Sequence, residues 1–233
     1  MPSVTTVLSA TESEKSKAGL RTWQKNNPGA LEEASTRGTA IHKCCEDYLR
    51  GIPVDCSDLY KGFWNGMNQY LDWFDTIHWS ERPLRKDWYH LRSEDKEVAY
   101  VWSTEHLYAG CPDLIGEIGG VKVIADFKTS NGPYSNTFPE RGDRMGFGGF
   151  RKFQKCAQQM AAYRLALNER TGFLCDVGLI IVSTEETTQG IFIDSDQMQL
   201  YESRFLKRAK QFHEMEDNAA QSINSSGDDE QGG

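Results

Sequence analysis

Asp113, Asp126 and Lys128 stand close around a Gly119-Gly120 pair, within the stretch from Gly110 to Ser130. They supply two carboxylates and an ammonium, the groups needed to hold a divalent cation and to stabilise negative charge as it develops. Gly119-Gly120, flanked by β-rich runs, reads as a two-residue hairpin turn. With that turn Ile118 faces Val121, and counting outward places Asp113 opposite Asp126. Side chains alternate along a strand, so Lys128 shares a face with Asp126. The two aspartates fall at a non-hydrogen-bonded pair, with Cβ atoms about 4.5–5.5 Å apart. Like charges that close repel unless a cation joins them. The next pair outward is Pro112 with Phe127. Proline has no N–H to offer, so the Phe127 carbonyl loses its ladder partner or the strands splay. Two carboxylates, a spare carbonyl and a lysine in a small volume form a hard donor set suited to Mg²⁺ or Mn²⁺. A lone Asp-x-Lys triplet is usually a solvated strand face. The register, the proline and the apolar run into Asp126 set this one apart.

The elements that must position these residues follow from periodicity and punctuation. Residues 1–10 are Ser/Thr-rich and read as mobile. Residues 11–26 carry helix formers, with Leu20 and Trp23 as expected anchors, and stop before Asn26-Asn27-Pro28-Gly29. Helices are expected at about Ser35–Arg50 and Asp58–His78, the second with an aromatic stripe that reads as core. Trp88–Leu91, Glu97–Trp102, His106–Ile118, Val121–Lys128, Gly178–Ser183 and Thr188–Ile193 read as strands. Phe150–Arg170 and Leu200–Phe212 read as helices. This order predicts an α/β (α+β) fold, a mixed central sheet flanked by helices. The predicted organisation is a single domain over residues 1–216, then an acidic, Ser/Gly-rich disordered tail over 217–233. The glycine-rich connection 129–149 carries Tyr134, Phe138 and Phe147 and begins right after Lys128. A lid, a strand guide or plain disorder are all compatible with it.

Composition narrows the partners. The chain has 233 residues and a formal net charge of −8, which argues against a passive coat on nucleic acid but not against an enzyme acting on it. The charge is uneven: Arg141–Lys155 holds five basic residues and one acid, whereas Glu214–Gly233 holds six acids and no Lys or Arg. Such a basic patch can bind phosphate on an acidic protein. No apolar run approaches the ~20 residues of a membrane span, and no signal-peptide pattern opens the chain, so an intracellular protein without membrane partners is expected. The six cysteines form no CxxC pair, so reduced thiols are expected rather than a zinc site or disulfide framework.

Pro112-Asp113, Asp126-Phe127-Lys128 and the helix text Gln159-Met160-Ala161-Ala162-Tyr163 together resemble the PD-(D/E)XK nucleases, in particular their RecB-type exonuclease branch. Gly38-Thr39-Ala40-Ile41-His42 matches the upstream Gly-x-x-x-His helix of that branch, and Gly110–Asp113 matches its Gly-x-x-Asp entry to the first motif strand. The four elements occur in family order over about residues 36–185. The resemblance implies a restriction-endonuclease-like core, with Asp113, Asp126, the Phe127 carbonyl and His42 holding one or two Mg²⁺ or Mn²⁺ ions. It implies that Lys128 activates the attacking water. Some relatives carry an iron–sulfur cluster; only Cys156 and Cys175 lie downstream here, so none is expected. The chain lacks a GxxxxGK[ST] loop, so ATP is not an expected partner.

Gln159 and Tyr163 share a helix face, with Lys155 one turn earlier, and could bind backbone phosphate and stack on a base. Tyr163 as plain core is the competing reading. Arg144, with Arg141, Arg151 and Lys152, could add phosphate contacts. Glu46 could orient His42 or bind metal, or be a solvated acid. Glu97 is a further candidate. The expected activity is a divalent-metal-dependent DNA exonuclease preferring single strands or free ends. A structure-specific or nicking endonuclease and a catalytically silent nucleic-acid-binding module are the alternatives.

Overall fold

The computed structural model describes residues 1–94 and 99–227, with the backbone alone for residue 145 and for 222–227. Glu97 and residues 228–233 lie outside the described residues.

The Gly119-Gly120 turn forms as expected. Both glycines have positive φ, 56° and 80°, the conformation of a type I′ hairpin turn. It joins β4 (Leu114–Ile118) to β5 (Val121–Thr129), with Ile118 opposite Val121 and Leu114 opposite Ala125. Around this hairpin lies a five-stranded mixed sheet of order β1-β4-β5-β6-β7. Its other strands are β1 (Thr76–Ser80), β6 (Val177–Ser183) and β7 (Thr188–Ile193). All neighbours are antiparallel except β5 and β6, which are parallel. A parallel pair needs a crossover, supplied by helix α5 (Arg144–Thr171), which stops at Gly172 in the left-handed region (φ 71°).

Helices cover both faces of the sheet. Ile115, Ile124, Ile180 and Val182 point into one core with Met160 and Leu167 of α5, Phe205 of α6 (Ser195–Gly227), and Val4, Val7 and Leu8 of α1 (Val4–Ala10). Leu114, Val123, Ala125, Phe127, Leu179 and Ile181 point the other way, onto Ile41 of α3 (Ala30–Leu49) and Phe63, Trp64 and Met67 of α4 (Lys61–Leu71). Burial on both faces is why β5 and β6 read as near-continuous apolar runs. The mixed α/β architecture is therefore the one expected.

Several expectations are corrected. Residues 1–10 are not mobile: Ser3 caps α1 by accepting from the Thr6 N–H, and Val4, Val7 and Leu8 are fully buried. The following helix, α2 (Glu14–Asn26), buries none of its residues, so Leu20 and Trp23 are not anchors. The helix expected to reach His78 ends at Leu71. Residues 76–80 form β1, paired antiparallel with β4, and a bulge between Ile77 and Trp79 sends these two side chains into opposite cores. Lys86–Leu91 is a 3₁₀ turn, not a strand. The run His106–Ile118 is two strands in two sheets: β3 (Tyr108–Gly110) pairs with β2 (Val101–Ser103) in a small ribbon, and Pro112 separates it from β4. Residues 217–227 continue α6 instead of being disordered. The helix is nucleated by its buried part, including Tyr201, Phe205 and Phe212, and propagation past that point costs little. Among the described residues, no helix is long and apolar enough to cross a membrane.

Candidate active site

The site forms where β4 stops pairing with β5. At the Pro112–Phe127 position the Pro112 carbonyl turns away and accepts from Trp79 Nε1 at 2.6 Å. The Phe127 N–H instead donates to Asp113 Oδ2 at 2.8 Å. The Phe127 carbonyl, without a ladder partner, lies 3.0 Å from His42 Nε2 and accepts from Lys128 Nζ at 3.2 Å. One proline thus frees a carbonyl and locks the adjacent carboxylate in place.

Three elements converge on this fork. His42 projects from α3, one residue past the fully buried Ile41. Its ring meets Phe127 edge-on, with centroids 5.8 Å apart. Its Nδ1 is 3.0 Å from Glu81 Oε1, and its Nε2 is 3.8 Å from Asp113 Oδ2. Glu81 follows β1 and extends its pairing with β4: Ser80 faces Leu114, and the Glu81 N–H donates to the Asp113 carbonyl at 2.9 Å. Glu81 adopts φ 54°, unusual for a residue with a long side chain, at the point where its carboxylate reaches His42. His42, Glu81 and Asp113 each present a ligand atom within 4.8 Å of the others. Burial opposes charge on His42, but Asp113 and Glu81 outweigh it and raise its pKa to about 9.

Asp126 is the deepest member. It is fully buried, and neither carboxylate oxygen receives a hydrogen bond. Lys128 Nζ approaches Oδ2 to 2.5 Å, an ion pair between residues two apart on one strand face. Burial raises the Asp126 pKa against the pull of Lys128, and Asp113 raises it further. Lys128 is held well above its usual range: burial works against its charge, but Asp126 and Asp113 prevail. A fully buried carboxylate with a single lysine against it is costly unless its remaining lone pairs are also satisfied. Together with Asp113, Glu81, an imidazole and a carbonyl freed from the ladder, it makes a cluster of groups that could hold a metal ion.

The remaining candidates lie as follows. Gln159 Nε2 donates to the Tyr163 hydroxyl at 3.0 Å, so the expected helix-face pair exists. Tyr163, however, is buried. Its ring packs so tightly on Gly110 that a Cβ there would lie 2.1 Å from Cε1. The stacking role expected for Tyr163 is therefore corrected: no ring face is free for a base, and the ring instead seats the segment leading into Asp113. Lys155 turns toward Ser9 Oγ, at 3.5 Å, on α1. Arg144 is exposed at the first residue of α5. Glu46 is engaged by Arg50, Arg82 and Lys43, so the acid that meets His42 is Glu81. Nothing in the text Ser80-Glu81-Arg82-Pro83 marks Glu81; only the β1–β4 pairing brings it beside Asp113. The 129–149 connection is tied down by Tyr134, whose N–H donates to Gln189 Oε1 at 3.0 Å, and by Phe138 packed edge-on against Phe147 and Phe150.

No family model matches this chain, and no curated protein sequence matches it. Among solved structures, the crystal structure of a candidate exonuclease from Eubacterium rectale is similar over 75% of this chain and 68% of that one, at 13% identity and a TM-score of 0.41. A likeness that distant carries no argument about activity, which rests instead on the fork and the residues that converge there.

Proposed function

We propose that this chain is a divalent-metal-dependent deoxyribonuclease, an exonuclease acting on single strands or free ends. The observation that carries the reading is the buried, hydrogen-bond-free carboxylate of Asp126, set beside the His42–Glu81–Asp113 cluster and Lys128. The family resemblance of these motif residues supports it.

Asp113, Asp126, the Phe127 carbonyl and His42 would hold Mg²⁺ or Mn²⁺, with Glu81 as an additional ligand or as the group that orients the His42 ring. When bound, such an ion lowers the pKa of water and offsets charge on a phosphodiester. The Asp113 carboxylate is held ready by the Phe127 N–H, so little reorganisation is needed at the moment of reaction. Lys128 keeps its charge at the fork, where it orients the attacking water and stabilises negative charge on the phosphoryl oxygens. In-line attack would break the P–O bond to the leaving nucleotide, leaving a 5′-phosphate and a 3′-hydroxyl. Gln159 and Tyr163 would act as supports for the Gly110–Asp113 segment.

The test is digestion of linear and circular single-stranded DNA with Mg²⁺, Mn²⁺ or EDTA. Linear strands are expected to be degraded with either metal, while circular strands and EDTA samples stay intact. Efficient cutting of circles would replace the exonuclease reading by an endonuclease. No cleavage of either substrate with either metal would overturn the nuclease reading.

A further inference from the structure

Helix α2 buries no residue, yet it carries Leu20 and Trp23, 52% and 44% exposed. These two lie three apart on one helix face and, with Lys15, line a groove of about 700 Å³ whose other wall is Arg151, Lys152 and Lys155 of α5. Two more charges line the groove: Lys17, which donates to the Ala10 carbonyl and Glu14, and Glu12, the only acid of the lining among the described residues, which meets Arg151. Among the described residues, the other cations have no carboxylate partner. Lys152 Nζ donates to the Ser130 hydroxyl at 3.1 Å, Lys155 Nζ to the Ser9 hydroxyl at 3.5 Å, and Lys15 is exposed with no hydrogen bond or ion pair among the described residues. A chain of net charge −8 has thus gathered uncompensated cations around one exposed indole.

That combination selects the ligand. An acidic peptide would satisfy the lysines but has no general use for the indole. A single-stranded polynucleotide presents phosphates to the lysines and a base face to the ring. Continuity points the same way: Lys152 grips Ser130, two residues beyond Lys128 and just past the end of β5, the strand that carries Asp126 and Lys128. The groove therefore leads to the end of that strand.

We propose that the groove between α2 and α5 binds a single-stranded segment of the substrate, with Trp23 stacking on a base and Lys15, Lys152 and Lys155 holding phosphates. The proposal rests on the nuclease reading and adds to it a binding surface remote from the reacting bond.

The test is fluorescence-anisotropy binding of a labelled oligothymidylate in EDTA, where no cleavage occurs, beside hydrolysis of linear strands with Mg²⁺. The variants are Trp23→Ala, Trp23→Phe and Lys15→Glu. Both positions are exposed, so unchanged melting temperatures are expected. Trp23→Ala should weaken binding about tenfold, the scale of one lost base stack, and Trp23→Phe should recover most of it. Lys15→Glu should weaken binding and flatten its salt dependence by at least about 0.7 in slope, one phosphate contact on a single strand. The maximal hydrolysis rate at saturating DNA should not change, because α2 holds no reacting group. If the wild type binds and cleaves DNA but Trp23→Ala and Lys15→Glu bind equally well, the groove assignment is overturned while the nuclease reading stands. A wild type that neither binds nor cleaves would overturn both.

Discussion

The fork between β4 and β5 and the helix α2 are both rich in charge, but they are built differently. At the fork the side chains of Asp113, Asp126 and Lys128 are 9%, 2% and 25% exposed, and each is pinned by a hydrogen bond or an ion pair. On α2 no residue is buried, and the helix bears on the body through a few polar contacts such as Arg151 to Ser16. Buried charge is expensive and persists where chemistry needs preorganised groups. Exposed charge costs little and suits a surface that must hold, and release, a mobile polyanion. The neighbouring α1 sharpens the contrast: it is shorter than α2, seven residues against thirteen, yet places Val4, Val7 and Leu8 in the core.

Substitutions test this division. The largest effect is expected at the deepest carboxylate: Asp126→Asn should abolish metal-dependent DNA cleavage while far-UV circular dichroism stays native. Near wild-type activity in Mg²⁺ would remove Asp126 from the site. Lys128→Ala should lower the maximal rate by about 10²–10³, the scale of one lost preorganised donor, while calorimetry still detects metal binding. Loss of metal binding in that variant would argue against a role in orienting water.

Glu81→Gln should weaken metal affinity by about 10–100-fold, as expected for a group that fixes a ligating histidine. Wild-type affinity by calorimetry would return Glu81 to the role of a simple surface partner. In the first helix, Leu8→Ala should cost about 2–5 kcal/mol in urea unfolding, whereas Trp23→Ala in the second should stay within about 0.5 kcal/mol of wild type. Equal costs would erase the distinction between a core helix and a binding helix. The smallest effect is expected from ending the chain at Glu216, because residues 217–221 are exposed and the buried anchors of α6, Phe205 and Phe212 among them, are retained. A fall of several degrees in melting temperature would show that the tail of α6 docks on the body.

Much of the fork was legible in the residues themselves. The hairpin register follows from a local turn whose two glycines can take positive φ, and the proline opposite Phe127 announces a broken ladder because it lacks an N–H. The strands of the sheet centre and helix α5 were readable for a similar reason: long apolar runs and a glycine stop are local signals. Only tertiary structure decided the rest. Glu81 joins His42 through strand pairing between residues far apart in the chain, and no motif records that approach. The fates of α1 and α2 depend on which apolar side chains find a partner surface: Val4, Val7 and Leu8 are buried in one core with residues of α5 and α6, while Leu20 and Trp23 stay exposed. Tyr163 looked like a ligand by its spacing but became the wall against which Gly110 packs. Turn chemistry and periodicity act over a few residues and can be read in order, whereas burial is settled by the whole chain at once.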